Sequence, residues 1–515
     1  MRAKKPWPVL CLMIFAISAL ALAPAPARAA EQAAMADAAT QQAGTDAPKS
    51  FTTQHTVDIG GKTLSYRAVA GETLLHDDDG KPEASVFSIA YFLDGNGDKA
   101  SQRPITFLFN GGPGSTATWL HLGAFGPERL VLEDGRNPGA PPYELAPNPY
   151  TLLPSTDMVF VDPIGTGYSH ALGEHKDADY WGVDPDASSL ARFIRNYLTE
   201  HKRWASPKYL AGESYGTIRC AMLVGQLQLD ILDATALNGV ILLSSALDVQ
   251  AFMEGPPGND LIYVALLPTY TAIARYHDKI PADPDGLDAL LDQARAFASG
   301  EYLTALFQGD ALSDQRRQEI AAKLHRFTGL SEDYLLRSNL RVPYEHFAKE
   351  LLRDQGKVIG IHDGRYLGKD PDEAGAYVEW DPFVLSIAGP FATAINDYLT
   401  GDLKADFGHP YEVFNRKIPF AWKRPQGERW TGGALNVVDN LSAAAAANKD
   451  FRVFVAAGLH DLVTSFFGAE YTFNHSGIPK DRLTVRDYFG GHMMYLNNQS
   501  LEKLSTDIRQ MIDGR

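Results

Sequence analysis

Two cysteines stand among 515 residues, Cys11 and Cys220, so the chain has almost nothing from which to build a disulfide framework. It has no H-E-x-x-H and no clustered cysteines or carboxylates of the kind that bind a metal, and no metal or cofactor is expected. No dense Lys/Arg cluster follows residue 29, and 47 basic residues face 63 acidic ones for a formal charge of −16. Such a chain repels phosphate backbones, which argues against nucleic-acid binding. No repeat of 20–50 residues appears, which excludes solenoids and propellers. With 45% hydrophobic and 21% charged residues, the composition is that of an ordinary globular protein. The length allows two or three domains and a large core.

The first 29 residues have a different grammar. Arg2, Lys4 and Lys5 precede an apolar run from Val9 to Ala23, followed by an Ala27-x-Ala29 site. This is the pattern of a secretory signal peptide cleaved after Ala29. The run falls short of the roughly 20 residues needed to span a bilayer. Cleavage would remove four basic residues and no acidic ones, taking the formal charge from −16 to −20, and would leave Cys220 as the only thiol. No intrachain disulfide could then form, and a periplasmic or secreted location is expected without a membrane span after cleavage. Residues 30–50, polar and Ala-rich without apolar period, read as a disordered leader.

From Phe51 onward, Thr56–Ile59, Lys62–Ala68 and Ser85–Leu93 alternate like antiparallel strands separated by Gly-containing turns. Then come short continuous apolar runs: Pro104–Phe109, Met158–Val161, Lys208–Leu210, Gly239–Leu243 and Arg452–Ala456. Such runs suit strands buried on both faces of a largely parallel sheet. Helix-like stretches at Asp186–His201 and Thr217–Leu232 lie between them, which implies a three-layer α/β domain. Residues 251–430 break the alternation with helical patterns at Gly286–Ser299, Asp314–Phe327 and Tyr344–Gln355. They are expected to be an inserted helical cap. The α/β core would occupy 51–250 and 431–515.

The chemistry centres on Gly212-Glu213-Ser214-Tyr215-Gly216, a G-x-S-x-G between a strand pattern and a helix pattern. The motif alone is weak, but a sharp strand-to-helix turn would expose Ser214 Oγ, and glycines on either side let the backbone pass. In such folds an acid and then a histidine follow the serine. Asp461 lies in the loop after Arg452–Ala456, and His492 follows the strand-like Arg482–Phe489 and a Gly490-Gly491 pair. His460 and His475 are rivals for the base, and Asp450 and Asp487 for the acid. His460 abuts the proposed acid, His475 sits in a polar turn, and both rival acids sit at or inside strands. Cys220 reads as a packed residue of the helix after the turn.

Asn110-Gly111-Gly112-Pro113-Gly114-Ser115 follows the strand Pro104–Phe109. Its backbone N–H groups are placed either to face an oxyanion or simply to form a tight turn. Together with Gly212–Gly216, Asp162-Pro163-Ile164-Gly165-Thr166-Gly167-Tyr168-Ser169, Gly458–Asp461 and Gly490–His492, this stretch resembles the serine carboxypeptidases over nearly all of residues 60–505. The resemblance implies an α/β-hydrolase fold with a helical cap, to which the strand pattern from Phe51 onward adds an N-terminal antiparallel extension, and release of C-terminal residues from peptides that have a free C-terminus. It implies Ser214 as nucleophile, His492 as general base and then acid, and Asp461 as its orienter. The N–H groups of Gly112 and Tyr215 would form the oxyanion hole. Asn110, Gly111 and Glu213 would hold the substrate carboxylate. A carboxyl beside a carboxylate helps only when protonated, and burial favours that form.

Three positions depart from the family pattern. A second Glu, expected two residues before Gly126-Pro127, is Ala124, with Glu128 a conceivable substitute. A frequent Trp is Leu108, and the Cys of G-G-P-G-C is Ser115, in keeping with the missing disulfides. The loss at Ala124 keeps open an esterase or acyltransferase using the same serine. An inactive binding module is the alternative of another class, against which the complete Ser214, Asp461 and His492 set argues.

Overall fold

The computed structural model describes residues 47–423 and 435–514. The expected signal peptide, residues 30–46 of the leader and residues 424–434 lie outside the described residues. The apolar runs become the centre of one sheet. β1 (Ser50–Ile59), β2 (Lys62–His76) and β3 (Pro82–Leu93) form an antiparallel meander. β4 (Ile105–Phe109), β5 (Asp157–Val161), β6 (Lys208–Glu213) and β7 (Gly239–Leu243) follow, every residue of them buried. β8 (Arg452–Gly458) and β9 (Leu483–Tyr488) close the sheet. Their order is β1-β2-β3-β5-β4-β6-β7-β8-β9, and every pairing from β5 to β9 is parallel. This strand order, with its antiparallel start, is that of the α/β-hydrolase fold.

The strand period of two separates two apolar layers. In β7, Val240 and Leu242 face the layer of α1 (Val183–Glu200) and α2 (Tyr215–Leu227). Ile241 and Leu243 face the opposite layer, where α6 (Pro382–Gly401) and α8 (Asn498–Asp513) pack. Between β7 and β8 the chain also forms α3 (Leu261–Tyr276), α4 (Leu287–Phe297) and α5 (Asp314–Thr328), which share an apolar core of their own. α7 (Val438–Ala447) returns the chain to the sheet.

The helix after the serine begins at Tyr215 and ends at Leu227, five residues before the end its sequence pattern suggests. The Asp230 carboxylate accepts the backbone N–H groups of Leu232 and Asp233, a local bond that competes with helix continuation. Ile231 and Leu232, which extend the apolar pattern on paper, are 94% and 92% exposed.

Arg219 on α2 fastens this helix to its surroundings. Its Nε donates to Asp186 Oδ2 of α1 at 2.7 Å, and an Nη1 hydrogen goes to the main-chain oxygen of Asn110 at 2.5 Å. Both charged side chains are almost wholly buried, at 0% and 4% exposure. Removing one partner strands the other charge in a medium that solvates it poorly. Arg219→Met is therefore expected to cost about 3–5 kcal/mol of stability. Urea unfolding of the variant against the wild type measures the loss, and a difference below ~1 kcal/mol contradicts the account.

Candidate active site

The candidate residues stand at the carboxyl ends of four parallel strands: Asn110–Gly112 after β4, Ser214 after β6, Asp461 after β8 and His492 after β9. In open α/β sheets that edge is where ligands bind. Ser214 has φ 58° and ψ −128°, left-handed backbone that a residue with a side chain rarely adopts. The turn holds because its neighbours lack side chains. A Cβ on Gly212 would lie 2.2 Å from the carbonyl oxygen of Gly216, and one on Gly111 would lie 2.5 Å from the nitrogen of Tyr215. The turn is pinned by Ser214 N donating to Leu243 O at 3.0 Å and by the Thr217 hydroxyl donating to Ser214 O at 2.7 Å. Ser214 Oγ itself is buried and has no hydrogen-bond partner among the described residues.

His492 Nδ1 lies 2.8 Å from Asp461 Oδ2. A proton on Nδ1 is fixed by this contact, which leaves the Nε2 lone pair as the basic site. Asp461 is fully buried and held on four sides. Its Oδ1 accepts the N–H groups of Val463 and Thr464, and its Oδ2 accepts the Thr464 hydroxyl at 2.6 Å as well as His492. Burial works against the imidazolium of His492, but Asp461, its hydrogen bond, Glu213 and Asp381 together outweigh this and raise the pKa above its ordinary value.

Glu213 is 2% exposed, and burial pushes its carboxyl up to about 7. Tyr495 donates its hydroxyl to Glu213 Oε2 at 2.6 Å, and the Asn110 amide also hydrogen-bonds the carboxyl. Asn110 Oδ1 accepts the N–H of Leu120 at 3.0 Å. Ala124 is buried beside Gly123, whose Cβ position is 2.8 Å from the ring of Tyr495. Tyr495 is thus the side chain whose hydroxyl meets the Glu213 carboxyl. Glu128 does not substitute. It lines a cavity of about 520 Å³ with Tyr143, Tyr398 and Asp402, and neither Ser214 nor Glu213 borders that cavity.

The structure also sorts the rivals. His460 directs Nδ1 to Gly490 O at 3.3 Å, and its ring packs among Tyr276 and Phe489. His475 is exposed and bonds Tyr471 O. Asp487 lies inside β9 and pairs with Arg295. Cys220 is fully buried, and its thiol pKa is raised by that burial.

Residues Tyr411–Asn415 run across two of the loops at the site. Thr116 N donates to Val413 O, Gly167 N to Glu412 O, Asn415 N to Gly114 O, and the Tyr411 hydroxyl to Asp162 Oδ2 at 2.6 Å. Phe414 Cε2 lies 3.2 Å from where a Cβ of Gly112 would stand. Tyr495, Thr464 and the 411–415 segment were not singled out by sequence reasoning. Tyr495 falls three residues after His492 in an apolar run, and a polar tip there was the one available signal.

Strand order, the turn at Ser214 and the residues gathered at the sheet edge define a class: this is a serine hydrolase of the α/β-hydrolase fold. Within it, residues 82–251, about a third of the chain, match the family model described as serine carboxypeptidase. The matched segment contains Asn110–Gly112 and Ser214 but ends before Asp461 and His492, whose placement rests on geometry. No curated protein sequence matches the chain. Among solved structures it is similar to the Pyrococcus furiosus esterase at 8% identity and a TM-score of 0.35, covering 86% of this chain and 90% of that one. A peroxisomal alpha-beta-hydrolase from Saccharomyces cerevisiae gives 8% and 0.33, with 92% and 91% covered. The juvenile hormone epoxide hydrolase of Bombyx mori gives 12% and 0.34, with 87% and 78% covered.

The raised pKa of Glu213 has a sign that can be checked. Between the unfolded value of 4.5 and the folded value of about 7, the folded protein holds a proton that the unfolded chain has released. Stability therefore falls as pH rises through that window. Glu213→Gln is expected to remove this contribution, so the stability difference between variant and wild type grows in the variant's favour from pH 5 to 7. Chemical denaturation across that range reads it, and parallel curves would rule it out.

Proposed function

We propose that the protein is an exported serine-type carboxypeptidase. The observation that carries this reading is a buried, protonatable carboxyl at Glu213, hydrogen-bonded by Asn110 and Tyr495 and directly preceding Ser214. Below about pH 7 the neutral carboxyl donates a hydrogen bond to the C-terminal carboxylate of a peptide. Asn110 and the N–H of Gly111 complete the clamp. Ser214 Oγ then attacks the last peptide carbonyl while His492 Nε2 takes its proton and Asp461 holds the imidazolium. The N–H groups of Gly112 and Tyr215 receive the oxyanion. His492 passes the proton to the leaving amine, the terminal residue departs, and water cleaves the acyl-enzyme by the same steps reversed. No cofactor enters these steps. The segment 1–29 serves as the export signal, and the helices α3, α4 and α5 with their own apolar core form a cap that shapes the pocket, while α6 packs on the sheet.

A second reading is favoured by one observation. Tyr495 partners Glu213, and a phenol donor stabilises the carboxylate form that repels a substrate carboxylate. Recognition of a free C-terminus is then weaker, and the same serine acts as an esterase or acyltransferase.

Two measurements test the proposal. Ser214→Ala and His492→Ala are each expected to lower turnover by roughly 10⁴–10⁶-fold while the proteins remain folded. Near-wild-type turnover of His492→Ala removes it from the mechanism. A blocked dipeptide offered as free acid and as amide between pH 4 and 8 is expected to be cleaved as the free acid; turnover falls toward pH 4 as the His492 base is protonated, and activity declines above about 7 as Glu213 ionises. Equal cleavage of both forms, without that decline, replaces the carboxypeptidase with the esterase or acyltransferase.

A further inference from the structure

Loop 360–366, part of the helical region between α5 and α6, reaches both of the late loops at the site. Leu462 N donates to Ile361 O at 3.2 Å, and Gly364 N donates to His460 O at 2.9 Å, which fixes the loop that bears Asp461. On the other side, His492 N donates to His362 O at 2.6 Å, and Gly491 N donates to the Asp363 carboxylate at 3.0 Å. The approach is close enough that a Cβ on Gly491 would lie 2.4 Å from both Asp363 Cβ and His362 O. The His362 ring stands edge-on to the His492 ring, with centroids 5.3 Å apart and planes at 83°. Its own orientation is set by Asp381, whose Oδ2 lies 2.7 Å from His362 Nδ1. Asp363 is anchored in turn. Arg365 donates to it at 2.6 and 2.9 Å and to Asp134 at 2.7 and 2.8 Å, and Asn497 Nδ2 donates to the same Asp134.

We infer that Asp363 and His362 are positioning residues for His492: Asp363 holds the backbone immediately before it, and the His362 ring limits its rotation. Asp363 acts through the main chain of Gly491, and His362 through its ring contact with His492. Their effect passes through the direction of His492 Nε2, and displacements of about 1 Å at a reacting centre cost on the order of 100-fold in rate. The sheet supplies the strands that carry Ser214, Asp461 and His492, while the inserted region supplies the wall that aligns the last of them. This inference rests on the reading of Ser214 as nucleophile and His492 as its base.

The test uses the full-length protein and a fluorophosphonate that labels an activated serine. Labelling stoichiometry counts folded sites, and the labelling rate reports how well His492 activates Ser214. Asp363→Ala is expected to label stoichiometrically but on the order of 100-fold more slowly, with ester turnover reduced in kcat and little changed in KM. Asp363→Asn, which keeps an acceptor for Gly491 N–H, is expected to recover most of that loss. His362→Ala and His362→Phe form a second pair that decides the matter if Asp363→Ala does not fold, with the ring-retaining variant the faster. Wild-type labelling rates in both Ala variants overturn the inference, as does a loss of stoichiometry at unchanged rate per labelled site. His492→Ala separates this from the underlying reading. If it labels as fast as the wild type, the function of His492 is what fails.

Discussion

At Ser214 three stretches of backbone come closer than any side chain allows. The end of β6, the start of α2 and the loop after β4 meet there, and Gly111, Gly212 and Gly216 are the residues at the contact. The cost of a left-handed serine is met by the packing around it, since the buried strand, the buried helix and the Thr217 hydroxyl leave the turn no other course. The placement of the remaining groups follows. Asn110 comes beside Glu213 because its loop lies on the turn, and Arg219 reaches the same loop from one helical turn further on.

With a single cysteine in the described residues, the long-range ties are ionic. Arg103 and Arg203 converge on Asp157, Arg219 meets Asp186, Lys349 meets Asp370, and Arg365 bridges Asp363 and Asp134. Buried pairs of this kind return little net stability against apolar packing, but each is costly to break. Their value here is geometric, because a mispaired arrangement of these loops would leave a charge without a partner.

The sequence made some of this legible and hid the rest. Runs such as Gly239–Leu243 declare strands buried on both faces because nothing in them tolerates water, and G-x-S-x-G declares the turn because sterics demand it. The order serine, acid, histidine could be read because each follows its own strand. The end of α2 was hidden, since Asp230 competes for backbone N–H groups in a way that apolar periodicity does not register. Tyr495 beside Glu213 and Asp363 beside Gly491 were hidden for a different reason. They are 282 and 128 residues from their partners, and no local pattern encodes a contact across that distance.

β7 and β8 are neighbours in the sheet, yet Gly239 pairs with Arg452. More than two hundred residues must be synthesised between two adjacent strands, and β9 with His492 comes later still. The entropy of closing so long a loop grows only logarithmically, so the finished sheet is not heavily penalised. The penalty falls on timing. Under the mechanism proposed above, a nascent chain that already contains Ser214 has no acid or imidazole to activate it, so the serine would stay chemically inert until chain growth has passed residue 492.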